Sequence, residues 1–196
     1  MKRSKCLVTT VWAVVAVAMM LGGCSTDNPI EPTQMNTSGR VVQSTTGPVT
    51  ILGLDRTQQA TSSLSKASGV DVQREEFIQA AVGGEIVVGN TVLGHSKLVF
   101  EPNALPQDMT ISITYRKEEY CEGIFEPHGT QFNEPVLVEL SYRNADVSDY
   151  DENELRIYYY NESTGLWELV GGTVDVANKT VSVYLEHFSR YAIVKT

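Results

Sequence analysis

The stretch "VSVYLEHFSRYAIV", Val181–Val194, decides the fold class. Val181, Val183 and Leu185 alternate with their neighbours, the period of a strand with one buried face. Continuing that phase sends His187 and Ser189 inward and Phe188 outward. Phe188 is the better core residue of the three, so the strand is expected to bulge or bend near Glu186–Ser189. "RYAIV", Arg190–Val194, then reads as a second, closing strand.

The same texture runs back to about Arg74. "EIVV", "KLVFE", "TISITYR", "VLVELSY", "ELRIYYYN", "LWELV", "TVDV" and "TVSVYLE" are short β-branched and aromatic runs, most of them alternating. Turn chemistry separates them at Gly89-Asn90, "EPNALPQD", "NESTG", Gly171-Gly172 and "ANK". Strands at this spacing without a long helical pattern indicate one all-β, antiparallel β-sandwich over residues 73–196. A single helical turn is expected at Gln73–Ala80.

The chain has 196 residues and a formal net charge of −9. No Lys/Arg cluster follows the first five residues, which argues against a nucleic-acid partner. Those residues, "MKRSK", precede the apolar run "CLVTTVWAVVAVAMML" and then "LGGCS". Basic start, short apolar core and small residues before a cysteine make residues 1–23 a signal peptide. Leu21-Gly22-Gly23-Cys24 resembles the lipobox of bacterial lipoproteins. The resemblance implies cleavage before Cys24, a diacylglycerol thioether on its sulfur and an acylated (palmitate-type) N-terminus. Two or three chains hold a protein durably on a bilayer. The expected partner is therefore a lipid bilayer, reached through acylated Cys24, and the expected location is the bacterial cell envelope. Ser25, where Asp favours inner-membrane retention in enteric bacteria, favours the outer membrane. Loss of Lys2, Arg3 and Lys5 leaves 12 basic against 24 acidic residues, a mature charge of −12.

Residues 24–72 read as a flexible linker, rich in Ser, Thr, Gln, Asn, Gly and Pro. About 45 such residues would span roughly 35–40 Å. "VTILGL", Val49–Leu54, interrupts the linker as an apolar patch or a short docking strand. Of three cysteines, Cys6 leaves with the signal and Cys24 takes lipid. Cys121 is then alone and reads as a small buried hydrophobe.

Several stretches in order resemble the ZU-five domain of ankyrins, netrin receptors and zonula occludens scaffolds. They are "GGEIVV", "SKLVFEPNALPQDMTISI", "FEPHGTQFNEPVLVELSY", "ELRIYYYNESTGLWEL" and "VSVYLEHFSRYAIV". The resemblance covers about Gly83–Thr196 and implies a β-sandwich that binds protein partners. It carries over no partner-binding residue.

Four constellations invite chemistry. His187-Phe188-Ser189 matches the tripeptide that self-cleaving members of that family cut between Phe and Ser. The resemblance implies attack by Ser189 Oγ on the Phe188 carbonyl, with His187 accepting or steering the proton. The plainer reading is a structural corner, favoured because only eight residues follow the bond. Tyr158-Tyr159-Tyr160 and Trp167 fall on a hairpin, where Tyr159 and Trp167 facing outward would make a glycan or protein platform; the plainer reading is aromatics packing across strands. Asp149-Tyr150-Asp151-Glu152-Asn153 imitates a calcium loop but has Glu154 where glycine is needed, so a solvated acidic turn is expected. Glu118, Glu119, Cys121, Glu122, Glu126 and His128 crowd one segment without zinc spacing. No metal or cofactor is expected. With no G-x-S-x-G, H-E-x-x-H or phosphate loop, a non-enzymatic module is the leading expectation.

Overall fold

The computed structural model describes residues 39–54, 72–91, 93–115 and 120–196. These form thirteen strands: β1 (Gly39–Ser44), β2 (Gly47–Leu52), β3 (Val72–Ile78), β4 (Gly84–Asn90), β5 (Gly94–Phe100), β6 (Met109–Tyr115), β7 (Glu122–Glu126), β8 (Gln131–Ser141), β9 (Arg156–Asn161), β10 (Leu166–Gly171), β11 (Thr173–Asp175), β12 (Thr180–His187) and β13 (Arg190–Lys195). The larger sheet runs β2-β1-β10-β9-β13-β7-β6-β3 and the smaller β11-β12-β8-β5-β4. The all-β reading holds, and nearly every run named above is a strand.

Alternation builds the core between the sheets. Ile111, Ile113, Phe125, Ile157, Tyr191 and Ile193 come from the larger sheet. Ile86, Val88, Leu98, Val136, Val138, Leu140, Val181 and Leu185 meet them from the smaller. Fully burying each such aliphatic contributes about 1.5–3 kcal/mol of transfer free energy.

The larger sheet also closes on itself at one end. Tyr191–Val194 of β13 pairs with β9 on one side. On its other side Arg190–Ala192 pairs with β7, and Val194–Lys195 with β2. β2 pairs with β1, and β1 meets β10 where Ser44 lies beside Trp167. The Thr45 N–H donates to the Trp167 carbonyl at 3.0 Å. Strands β2, β1, β10, β9 and β13 thus form a ring, filled by Val49, Ile51, Tyr158, Trp167, Ala192 and Val194. β13 is consequently buried on both faces, Tyr191 and Ile193 toward the sandwich and Ala192 and Val194 toward the ring. That explains the unbroken "YAIV", where a one-sided strand would alternate.

Three expectations change. The linker assigned to residues 24–72 contains a hairpin, β1–β2, because Val49, Ile51, Leu52 and Leu54 are buried at 8%, 0%, 0% and 5% exposure. Only surfaces far downstream in the chain give "VTILGL" something to pack on, and local composition cannot register that. The helical turn at Gln73–Ala80 is strand β3, paired residue for residue with β6 from Val72↔Tyr115 to Ile78↔Met109. The sandwich is not wholly antiparallel, since β1 and β10 pair in parallel.

Candidate functional site

The corner between β12 and β13 bends where the strand phase required it. Pairing with β8 shifts register between Leu185 and His187. The shift turns Phe188 into the core at 1% exposure. Its ring meets Phe132 edge-on at 4.7 Å and lies 6.2 Å from Phe100 and 6.4 Å from Phe125. Backbone groups at the corner are matched. The Phe188 N–H donates to the Thr130 carbonyl (2.9 Å), the Gly129 N–H to the Phe188 carbonyl (3.0 Å) and the Phe125 N–H to the Ser189 carbonyl (3.1 Å). Neither Phe188 nor Ser189 has a positive φ.

His187 does not face Ser189. Its Nδ1 lies 3.3 Å from the Phe188 carbonyl oxygen. The ring packs edge-on to Tyr159 at 5.5 Å, and the Tyr191 hydroxyl donates to the His187 carbonyl at 2.8 Å. Burial and then the neighbouring Tyr159 push the Tyr191 hydroxyl well above the usual tyrosine range, so it remains a donor.

The imidazole near Ser189 is His128, delivered by the turn after β7, where Gly129 supplies a φ of +77°. His128 Nε2 lies 3.4 Å from Ser189 Oγ, and Ser189 Oγ is also 3.4 Å from the Tyr160 carbonyl. Glu162 Oε1 lies 3.6 Å from the same Nε2. A relay needs the carboxylate on the other ring nitrogen, so this is no Ser–His–Glu triad. What the arrangement offers is a hydroxyl, an imidazole just beyond ordinary hydrogen-bond reach, and a Gly129 N–H on the carbonyl that the hydroxyl would attack. Ser189 is 3% exposed, which restricts the water needed to finish a cleavage. Ser189 lies 61 positions after His128 in the sequence. Sequence reasoning placed His128 with the acidic segment, and no spacing signal links it to the corner.

The Tyr159–Trp167 platform does not form. Trp167 pairs with Tyr160 and Glu168 with Tyr159, so Tyr159 and Trp167 point to opposite faces of the hairpin. Trp167 lies in the ring interior at 3% exposure, 5.5 Å from Tyr160. Half-buried Tyr159 donates its hydroxyl to Glu168 at 2.7 Å.

The acidic segments are committed elsewhere. Asp151 caps the 3₁₀ turn Glu152–Glu154, accepting from the Asn153 N–H. The Glu152 carboxylate accepts from Lys179 Nζ at 2.6 and 2.7 Å and from the Tyr142 hydroxyl at 2.7 Å. Glu122, 1% exposed, is held between the Arg40 and Arg190 guanidiniums. Cys121 is fully buried in the sandwich core. Glu118, Glu119 and Cys24 lie outside the described residues. Among the described residues no helix is long and apolar enough to cross a membrane.

No protein-family model matches the chain. Over 58 residues the chain is 41% identical to an amylopullulanase from Thermoanaerobacterium thermosulfurigenes, a stretch that is 30% of this chain and 3% of that protein. The chain therefore resembles a small fraction of that relative's length.

Proposed function

We propose that the chain is a bacterial envelope lipoprotein, anchored through acylated Cys24, whose β-sandwich is a non-enzymatic structural or protein-interaction module of the ZU-five type. The observation that carries the non-enzymatic reading is the closed corner: Phe188 fills an aromatic cluster and Ser189 is 3% exposed. The anchor rests on Leu21-Gly22-Gly23-Cys24. With β1 beginning at Gly39, 14 residues separate it from Cys24. That segment reaches at most about 50 Å when fully extended. Cys24→Ser should release the protein from membranes, and mass spectrometry of the wild type should find an acylated Cys24 and an intact C-terminus. A Cys24→Ser chain that stays in the membrane fraction overturns the anchor. Crosslinking in native envelopes should return a defined protein neighbour; none above the Cys24→Ser background overturns the interaction role.

A second reading, self-cleavage between Phe188 and Ser189, is favoured by His128 beside Ser189 Oγ and the Gly129 N–H on the scissile carbonyl. It predicts a chain ending at Phe188 that Ser189→Ala abolishes. An intact wild-type chain after prolonged incubation with hydroxylamine, which traps esters, removes it. A third reading, glycan binding, draws on the similarity to a protein named amylopullulanase. Retention on immobilised pullulan tests it, and free passage through the matrix rejects it.

A further inference from the structure

Three strands end the sheets with one neighbour each among the described residues: β3 in the larger sheet, β11 and β4 in the smaller. An open edge templates further pairing, and chains protect edges with charge, brevity or irregularity. β3 carries Arg74, Glu75 and Glu76 at its centre, and β11 is three residues long. β4, "GEIVVGN", has neither protection. It runs in unbroken register with β5 from Gly84↔Phe100 to Asn90↔Gly94. It contains no Lys, Arg or Pro, and Glu85 is its one charge. Ile86 and Val88 are buried at 1% and 2% exposure, while Val87 stands on the outer face at 41%.

We propose that the free edge of β4 pairs antiparallel with β4 of a second copy of this chain, about a two-fold axis at Val87. The charge pattern of the strand selects this occupant. In that register Val87 faces Val87 of the second copy, Ile86 faces Val88, and Glu85 faces Gly89. β-branched residues fill the centre. The only charged side chain meets a glycine rather than its own image. His95, exposed and paired with Gly89 across β5, is the next side chain on that face. Glu85 of one copy thus approaches His95 of the other over the glycine, twice by symmetry. The central row continues outward through Lys97 to Glu139, joined at 3.1 Å in each copy. The equivalent axis on β3, at Glu75, would set Glu75 against its own image. Gly89, at φ +130°, ends the pairable stretch.

Cysteine trapping in the full-length lipoprotein tests this. Opposed residues of an antiparallel pair lie about 4.5–5.5 Å apart at Cα, within disulfide range. Val87→Cys should form a disulfide dimer on mild oxidation of native envelopes, and Glu75→Cys on the β3 edge should not. Val87→Lys should convert the purified protein from dimer to monomer in sedimentation, with the β-sheet circular dichroism spectrum of the folded chain retained because Val87 is 41% exposed in the single chain. Equal crosslinking of both cysteine variants, a crosslink to a different protein instead, or an unchanged mass for Val87→Lys overturns the proposal.

Discussion

Glu122 and Arg190 face each other across β7 and β13, Oε1 2.5 Å from Nε, with the carboxylate 1% exposed. Arg40, from the N-terminal hairpin, grips the other carboxylate oxygen. The two guanidiniums lie over rings, Arg40 over Tyr120 at 4.8 Å, Arg190 over Tyr160 and Trp167 at 5.4 Å each. One buried charge therefore joins the hairpin to the strand that follows the candidate corner. A carboxylate taken out of water needs such partners, because its desolvation is otherwise uncompensated.

Glu122→Ala should be among the most damaging substitutions. It leaves two guanidiniums, 30% and 33% exposed, without their shared counter-charge; that partial exposure keeps the cost at or below the low end of the about 3–5 kcal/mol for breaking a fully buried pair. Arg40→Ala should cost less, because Arg190 still neutralises the carboxylate. Urea midpoints of the two variants check the order; equal midpoints would mean that solvent, not Arg190, compensates Glu122.

A chain beginning at residue 55 should be markedly less stable than one beginning at residue 36. The hairpin supplies Val49 and Ile51 to the ring and Leu52 to the sandwich core. At about 1.5–3 kcal/mol per buried aliphatic, those three side chains rival the net stability of many domains. Comparing urea unfolding of the two chains measures the loss. Identical curves would return residues 39–54 to the status of linker.

The sandwich strands were legible because each buries one face: Val181, Val183 and Leu185 carry period two openly, and the conflict at Phe188 announced the bulge. The ring was not legible. Its closure depends on a hairpin, a parallel contact at Ser44–Trp167 and a β13 buried on both sides, and each is a long-range pairing that leaves no local period. The same gap explains the candidate site. Cross-strand packing of Trp167 was the plainer expectation and Tyr160 supplies it, but nothing local shows that this packing lies in a closed ring interior. His128 reaches Ser189 only because the turn after β7 lies against the β12–β13 corner. β7 itself, "EGIFE", is too short and too polar at both ends to stand out.

Phe188→Ala should cost about 3–5 kcal/mol, the usual loss for an aromatic removed from a packed core. Phe132, Phe125 and Phe100 surround the ring and cannot all collapse into its place. His187→Ala, with a half-buried ring, should cost distinctly less. Chemical denaturation of both variants distinguishes a packing corner from one kept for its imidazole. A larger loss for His187→Ala would contradict the packing account.

Acid should weaken the domain through Glu152. Burial alone would raise this carboxyl, but the Lys179 ammonium and the Tyr142 hydroxyl outweigh it and hold it below its ordinary 4.5. A carboxyl depressed in the folded state binds its proton more readily when unfolded. Its stabilisation is therefore complete above the ordinary value and disappears as pH falls through the folded one. Asp151 and Asp175, each held low by accepting first from a backbone N–H, act in the same direction. Glu152→Gln should lower stability at pH 7 by about 1 kcal/mol, a modest figure because Lys179 is partly exposed. As pH falls below the ordinary carboxyl range and the wild-type carboxyl takes up its proton in the folded state too, the two proteins should converge. Urea unfolding across that range reads the difference directly. A deficit of the Glu152→Gln variant that stays constant into acid would show that packing, not charge, makes Glu152 stabilising.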